Sequence, residues 1–125
     1  MKANELRIGN KILMEFENSI EVVNSRTIGF IAVSNRTEKP HPFVGIPLSE
    51  EILLKCGFTI GMLECVFHAP KEYWHVYISA KEGDSDEKFT FRGLGASIVD
   101  IKYLHQLQNL YFALTGEELK VSQLI

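Results

Sequence analysis

The sequence has no long apolar run, no cluster of basic residues and no recognisable catalytic signature, and it holds only two cysteines. Each absence removes a class of answers. The longest uninterrupted apolar stretch is about one strand in length, far short of the roughly 20 residues that span a bilayer, so no membrane span is expected. The start, MKANELRIGN, lacks the apolar core of a secretory signal, and Cys56 and Cys65 show no CxxC spacing. Two reduced thiols and a cytoplasmic location are the expectation, rather than a disulfide framework. The thirteen Lys and Arg are scattered through a chain of net charge −3. Affinity for nucleic acid grows with the number of phosphates neutralised, so nucleic-acid binding is a secondary expectation, requiring a basic patch assembled by folding.

Chemistry is just as sparse. There is no P-loop, dinucleotide fingerprint, GxSxG elbow or HExxH helix. Asp84-Ser85-Asp86 begins like a calcium loop, but Phe89 stands where the template needs glycine, so it reads as a solvated turn. The set Cys65, His68 and His75 has zinc-ligand chemistry. On a strand pair, however, Cys65 points to the face opposite the two histidines, and no metal is expected. No cofactor is implied, and an enzyme is the third reading, requiring a pocket that holds His105 or His75 beside an acid.

What is present is a chain of 125 residues, 46% of them apolar, enough for one α+β domain spanning residues 1–125. KILMEFE places Ile12, Met14 and Phe16 at period 2, a half-buried strand, and Ile20 to Val23 reads as its hairpin partner. TIGFIAV, from Thr27 to Val33, is apolar on both parities and reads as a third strand covered on both faces. Ser34 to Gly45 holds two prolines and reads as a loop. In IPLSEEILLKCGF, Ser49 is an N-cap, Glu50 and Glu51 suit the positive end of a helix dipole, Leu48 and Leu53 form a staple, and Gly57 supplies the left-handed stop.

MLECVFH and YWHVYIS read as antiparallel strands with His68 opposite Tyr73 and Phe67 opposite Trp74. Leu63, Cys65, Phe67, Trp74, Val76 and Ile78 then form an apolar face, and Tyr73, His75 and Tyr77 lie on the other face, a candidate contact surface. KFTFR adds a third strand through Phe89 and Phe91. GLGAS then breaks the pattern, and a helix is expected from about Asp100 to Gly116, its apolar stripe formed by Tyr103, Leu104, Leu107, Leu110, Tyr111 and Leu114. The resulting architecture is one curved antiparallel sheet of about six strands, a short helix near residue 50 and a long C-terminal helix packed across it.

From Tyr103 to Gly116 the chain carries no Asp, Glu, Lys or Arg, although 23% of all residues are charged. Opposite the apolar stripe lie His105, Gln108, Asn109 and Phe112. Uncharged polar groups around an aromatic ring lose little on desolvation, so this face is the first candidate for a protein partner or for a homodimer contact. The competing expectation is that the chain covers this face itself, by the loop at Ser34 to Gly45 or by the C-terminal EELKVSQLI.

The segments NELRIGN, IPLSEEILLKCGF and YLHQLQNLYFALTGEEL together resemble small hypothetical proteins of prophages and mobile elements in anaerobic gut bacteria. Those proteins open with a similar LRIGN turn and close with a similar HxLQNLYFALTGxEL helix. The resemblance implies a short, cytoplasmic accessory protein of phage-like origin and assigns no site residue. LRIGNKILME is also similar to the first strand of small SH3-like barrels, which implies a strongly curved, partly barrel-like sheet in the N-terminal half.

Overall fold

The computed structural model describes residues 1–60, 66–68, 76–80, 89–93 and 96–121. It shows an α+β chain whose strands, among the described residues, form two open antiparallel sheets rather than one. The first is small: β1 (Lys11–Met14) lies between β2 (Ser19–Val22) and β3 (Phe43–Val44). The second is a five-stranded meander of β4 (Thr59–Ile60), β5 (Val66–His68), β6 (Val76–Ala80), β7 (Phe89–Gly93) and β8 (Ala96–Ile101).

The small sheet is covered on both sides, which explains why Leu13 is apolar as well as its neighbours Ile12 and Met14. Ile12 is wholly buried in a core with Leu6, Val23 and Ile31, against which Phe43 and Ile28 pack. Leu13 points the other way and, with its cross-strand neighbour Ile20, packs on the larger core. Phe16 does not continue this strand. The chain turns after Met14, and Phe16 is left 86% exposed.

The cover on the Ile12 side is a helix, α1 (Ser25–Arg36), where the sequence reading placed a strand over Thr27–Val33. The β-branched residues of TIGFIAV are only mildly unfavourable in a helix. The deciding signal is at its start: the Asn24 side chain accepts from the Thr27 N–H at 3.0 Å while Thr27 Oγ1 accepts from the Asn24 N–H, a reciprocal cap. Ile31 and Ser34 are the buried residues of the helix, three apart, as an amphipathic helix requires. The helix also takes Ser34 to Arg36 from the expected loop, and β3 takes Phe43 and Val44.

The second helix follows its punctuation closely. In α2 (Glu50–Lys55) the Ser49 hydroxyl accepts from the Ile52 N–H, and Gly57 adopts φ 90°. The Phe58 N–H then returns to the Leu53 carbonyl at 3.1 Å, and both side chains are buried in the larger core. Burying two such side chains contributes roughly 1.5–3 kcal/mol each.

In the meander the observed register corrects the expected one. Phe67 lies opposite Ile78 and His68 opposite Tyr77, four residues further along than Tyr73. The shift is even, so the parity survives, and Phe67 and Ile78 remain on the buried face. Tyr73 and His75 lie outside the described residues, as do Leu63, Cys65, Trp74 and the acidic turn at Asp84. Tyr77 sits on β6 opposite His68 on β5 and Arg92 on β7. Residues expected to start the C-terminal helix instead form β8, so Asp100 is a strand residue and accepts a hydrogen bond from Thr90 at 2.8 Å.

The last helix, α3 (Leu104–Thr115), begins four residues later than expected. Its start is held by Gln106, whose side-chain oxygen accepts from the Lys102 and Tyr103 N–H groups, and it ends at Gly116 with φ 75°. Leu104, Leu107 and Tyr111 are buried against Phe67, Ile78, Phe89, Phe91 and Ile101, whereas Leu114 is exposed. No helix among the described residues is long and apolar enough to cross a membrane.

Candidate functional site

The uncharged face of α3 is covered by the chain's own N-terminal segment. In Arg7–Asn10 a tight turn forms with Gly9 at φ 94°, and the Asn10 N–H donates to the Arg7 carbonyl at 3.1 Å. The turn leaves polar groups facing α3, and each finds a side chain there. Gln108 accepts from the Lys11 N–H at 2.9 Å. The Asn109 oxygen accepts from Asn10 Nδ2 at 2.9 Å and from the Arg7 guanidinium at 3.2 Å, while its amide donates to the Glu5 carbonyl at 2.9 Å. Arg7 also pairs with Glu118 and lies over the Phe112 ring, 4.3 Å from its centroid. Thus Gln108 serves the first strand of the small sheet and Asn109 serves the turn that leads into it.

His105 closes the other end of this seam. Its ring stacks on Tyr103 at 5.6 Å and is 1% exposed. Gly45 makes that stack possible, because a Cβ there would lie 2.6 Å from the Tyr103 ring and 3.1 Å from the His105 ring. Neither His105 nitrogen has a hydrogen bond among the described residues, and Nε2 lies 3.7 Å from a Glu5 carboxylate oxygen. Burial holds the imidazole below its ordinary pKa, and the nearby Glu5 carboxylate opposes that shift. The histidine–acid pair required by the enzyme reading is therefore present, but sealed: a substrate would reach His105 only by opening the seam. Among the described residues no three His, Cys, Asp or Glu side chains are grouped to hold a metal ion.

Of the expected contact residues, then, His105 and Gln108 are buried, Asn109 is half-buried, and Phe112 keeps 40% exposure. The cover comes neither from the 34–45 loop alone nor from the C-terminal tail alone, although Gly45 and Glu118 each touch the seam. It comes mainly from residues about 100 positions away in sequence, such as Glu5 and Lys11.

A different helix face is open. In α1, Arg26, Phe30 and Val33 fall on one stripe, and all three are exposed, Phe30 by 53% and Val33 by 50%. The helix has no acidic residue in its first turn or anywhere along SRTIGFIAVSNR. Phe30 meets Phe43 edge to face at 6.0 Å, and beside this pair an open groove of about 390 Å³ is lined by Met14, Thr27, Phe30, Pro42 and Phe43, with Asn24 and Arg26 at the helix N-terminal end. A hollow of similar size is lined mainly by polar and charged residues, among them Lys2, Asn4, Asn35 and Lys39, and its Asn35 side chain already holds the N-terminal segment through the Ala3 N–H and the Met1 carbonyl. The sequence reading missed the apolar groove because it treated α1 as a two-sided strand and pointed Phe16 into the core.

Comparison with protein-family models, curated proteins and solved structures finds no match.

Proposed function

We propose that this chain is a non-catalytic interaction protein that acts by self-association, using the open face of α1 and the adjoining groove rather than the uncharged face of α3. One observation carries the reading: two exposed residues of α1, Phe30 and Val33, together with the Phe30–Phe43 groove, form an apolar surface rimmed by Arg26, whereas the face of α3 spends its hydrogen-bonding groups inside the monomer. Aromatic and arginine side chains on one patch are the composition that protein interfaces favour. An accessory role of phage-like origin, implied by the LRIGN turn and the C-terminal helix motif, accords with a small chain that works through contact. The test is solution mass by light scattering across a concentration series, for the native chain and for Phe30→Glu. Self-association of the native chain that Phe30→Glu removes supports the reading; a native monomer at every concentration refutes it.

A second reading rests on the charge of α1, which carries Arg26 and Arg36 with no acid between them. It predicts salt-sensitive retention on DNA or RNA, weakened by Arg26→Ala and Arg36→Ala.

A further inference from the structure

The groove has a complementary knob on the same molecule. Phe16 is the most exposed large apolar residue among those described, at 86%, and it stands at the tip of the β1–β2 hairpin between two exposed acids, Glu15 and Glu17. The groove is apolar inside and positive at one end, where Arg26 lies beside the start of α1. The first turn of that helix contains no acidic residue, and although Asn24 already accepts from the Thr27 N–H, the positive end of the helix dipole favours a carboxylate nearby. An aromatic ring flanked by carboxylates therefore matches an apolar groove flanked by an arginine and a positive helix end.

The two features are also adjacent. The Glu15 N–H donates to the Pro42 carbonyl at 2.9 Å, and Pro42 lines the groove. The tip thus stands at the groove's edge with its ring turned outward. A surface that carries a knob beside its own matching hole closes on a second copy by a twofold rotation, each knob entering the other copy's hole.

Resting on the self-association reading, we infer that the occupant of the Met14–Phe30–Phe43 groove is Phe16 of a second copy of this chain, with Glu15 and Glu17 beside Arg26 and the start of α1. The dimer then contains two identical knob-and-groove contacts and is saturated, so association stops at two copies.

The experiment is light scattering after size exclusion for the native chain, Phe16→Glu, Phe30→Glu, Arg26→Glu, Glu15→Arg/Glu17→Arg, and the combined charge reversal of all three charged positions, with circular dichroism to show that each is folded. The native chain is expected at about twice its 14.2 kDa. Phe16→Glu weakens association at least about thirtyfold, as loss of an aromatic anchor does. Either single-sided charge reversal weakens it roughly fivefold, and the combined reversal restores it. If the native chain is a dimer that Phe30→Glu dissociates but Phe16→Glu leaves intact, the inference is overturned while self-association through α1 stands. A native monomer, or a dimer indifferent to both phenylalanine variants, overturns both.

Discussion

Two helices of this chain present a face that carries no acid, and the fold treats them oppositely. The second face of α3 is uncharged but rich in hydrogen-bonding groups, and it is closed by the N-terminal turn; the outer face of α1 is apolar and basic, and it stays open. The difference lies in what each side chain can satisfy. Gln108 and Asn109 offer both donors and acceptors to a segment that passes through a turn into the first strand, so burying them there costs little. Phe30 and Val33 offer no such partners, and beyond the edge contact of Phe30 with Phe43 each stays about half exposed. An uncharged polar helix face therefore points to an internal seam, and an exposed aromatic stripe flanked by arginine points outward.

The largest expected effect breaks the closed side. Asn109→Leu strands the buried Asn10 amide and the Glu5 carbonyl, and is expected to cost about 2–3 kcal/mol, lowering Tm by on the order of 10 °C in a thermal melt. Gly45→Ala pushes a methyl group into the Tyr103 ring and should cost about 1–3 kcal/mol, read from the urea midpoint. A melt unchanged by both would mean that the seam does not hold the N-terminal segment.

A gentler test uses acid. Because burial lowers the folded-state pKa of His105, the unfolded chain takes up the proton first as pH falls. This contribution to stability is present in full above the unfolded value of 6.5 and is lost as pH drops below it. Urea midpoints compared at about pH 7.5 and about pH 5.5 should fall for the native chain and fall less for His105→Phe, which keeps the ring but cannot titrate. Equal losses in both would place the acid sensitivity elsewhere. Smaller still is the effect of Phe30→Glu on the open side: measured at a concentration low enough for both chains to be monomeric, an exposed position should change stability by no more than about 0.5 kcal/mol, although a change of solution mass is expected at higher concentration.

How much of this was legible depended on distance along the chain. The caps of α2, the β1–β2 hairpin and the Gly116 stop are written within a few neighbouring residues, and all were readable. For α1 the strand-like composition of TIGFIAV outweighed the Asn24–Thr27 cap, although the cap was equally local. The β5–β6 register was misplaced because an even shift keeps the same side chains inward, so the apolar pattern alone does not choose between the two pairings. The α3 face was recognisable as unusual for lacking charge, but its cover is the Glu5–Lys11 segment, and no local pattern in the sequence encodes a contact at that separation. The groove was illegible because it needs α1 and β3 to be placed before its walls exist.

We propose that the open face of α1, and not the uncharged face of α3, joins molecules. The measurement that tests it most directly is the solution mass of Phe30→Glu beside that of Phe112→Glu at matched concentration, both checked by circular dichroism. The expected results are a native dimer, a monomer for Phe30→Glu and a dimer still for Phe112→Glu, whose ring lies under Arg7 within the monomer. A folded Phe112→Glu monomer beside a dimeric Phe30→Glu would contradict the proposal and return the contact to α3.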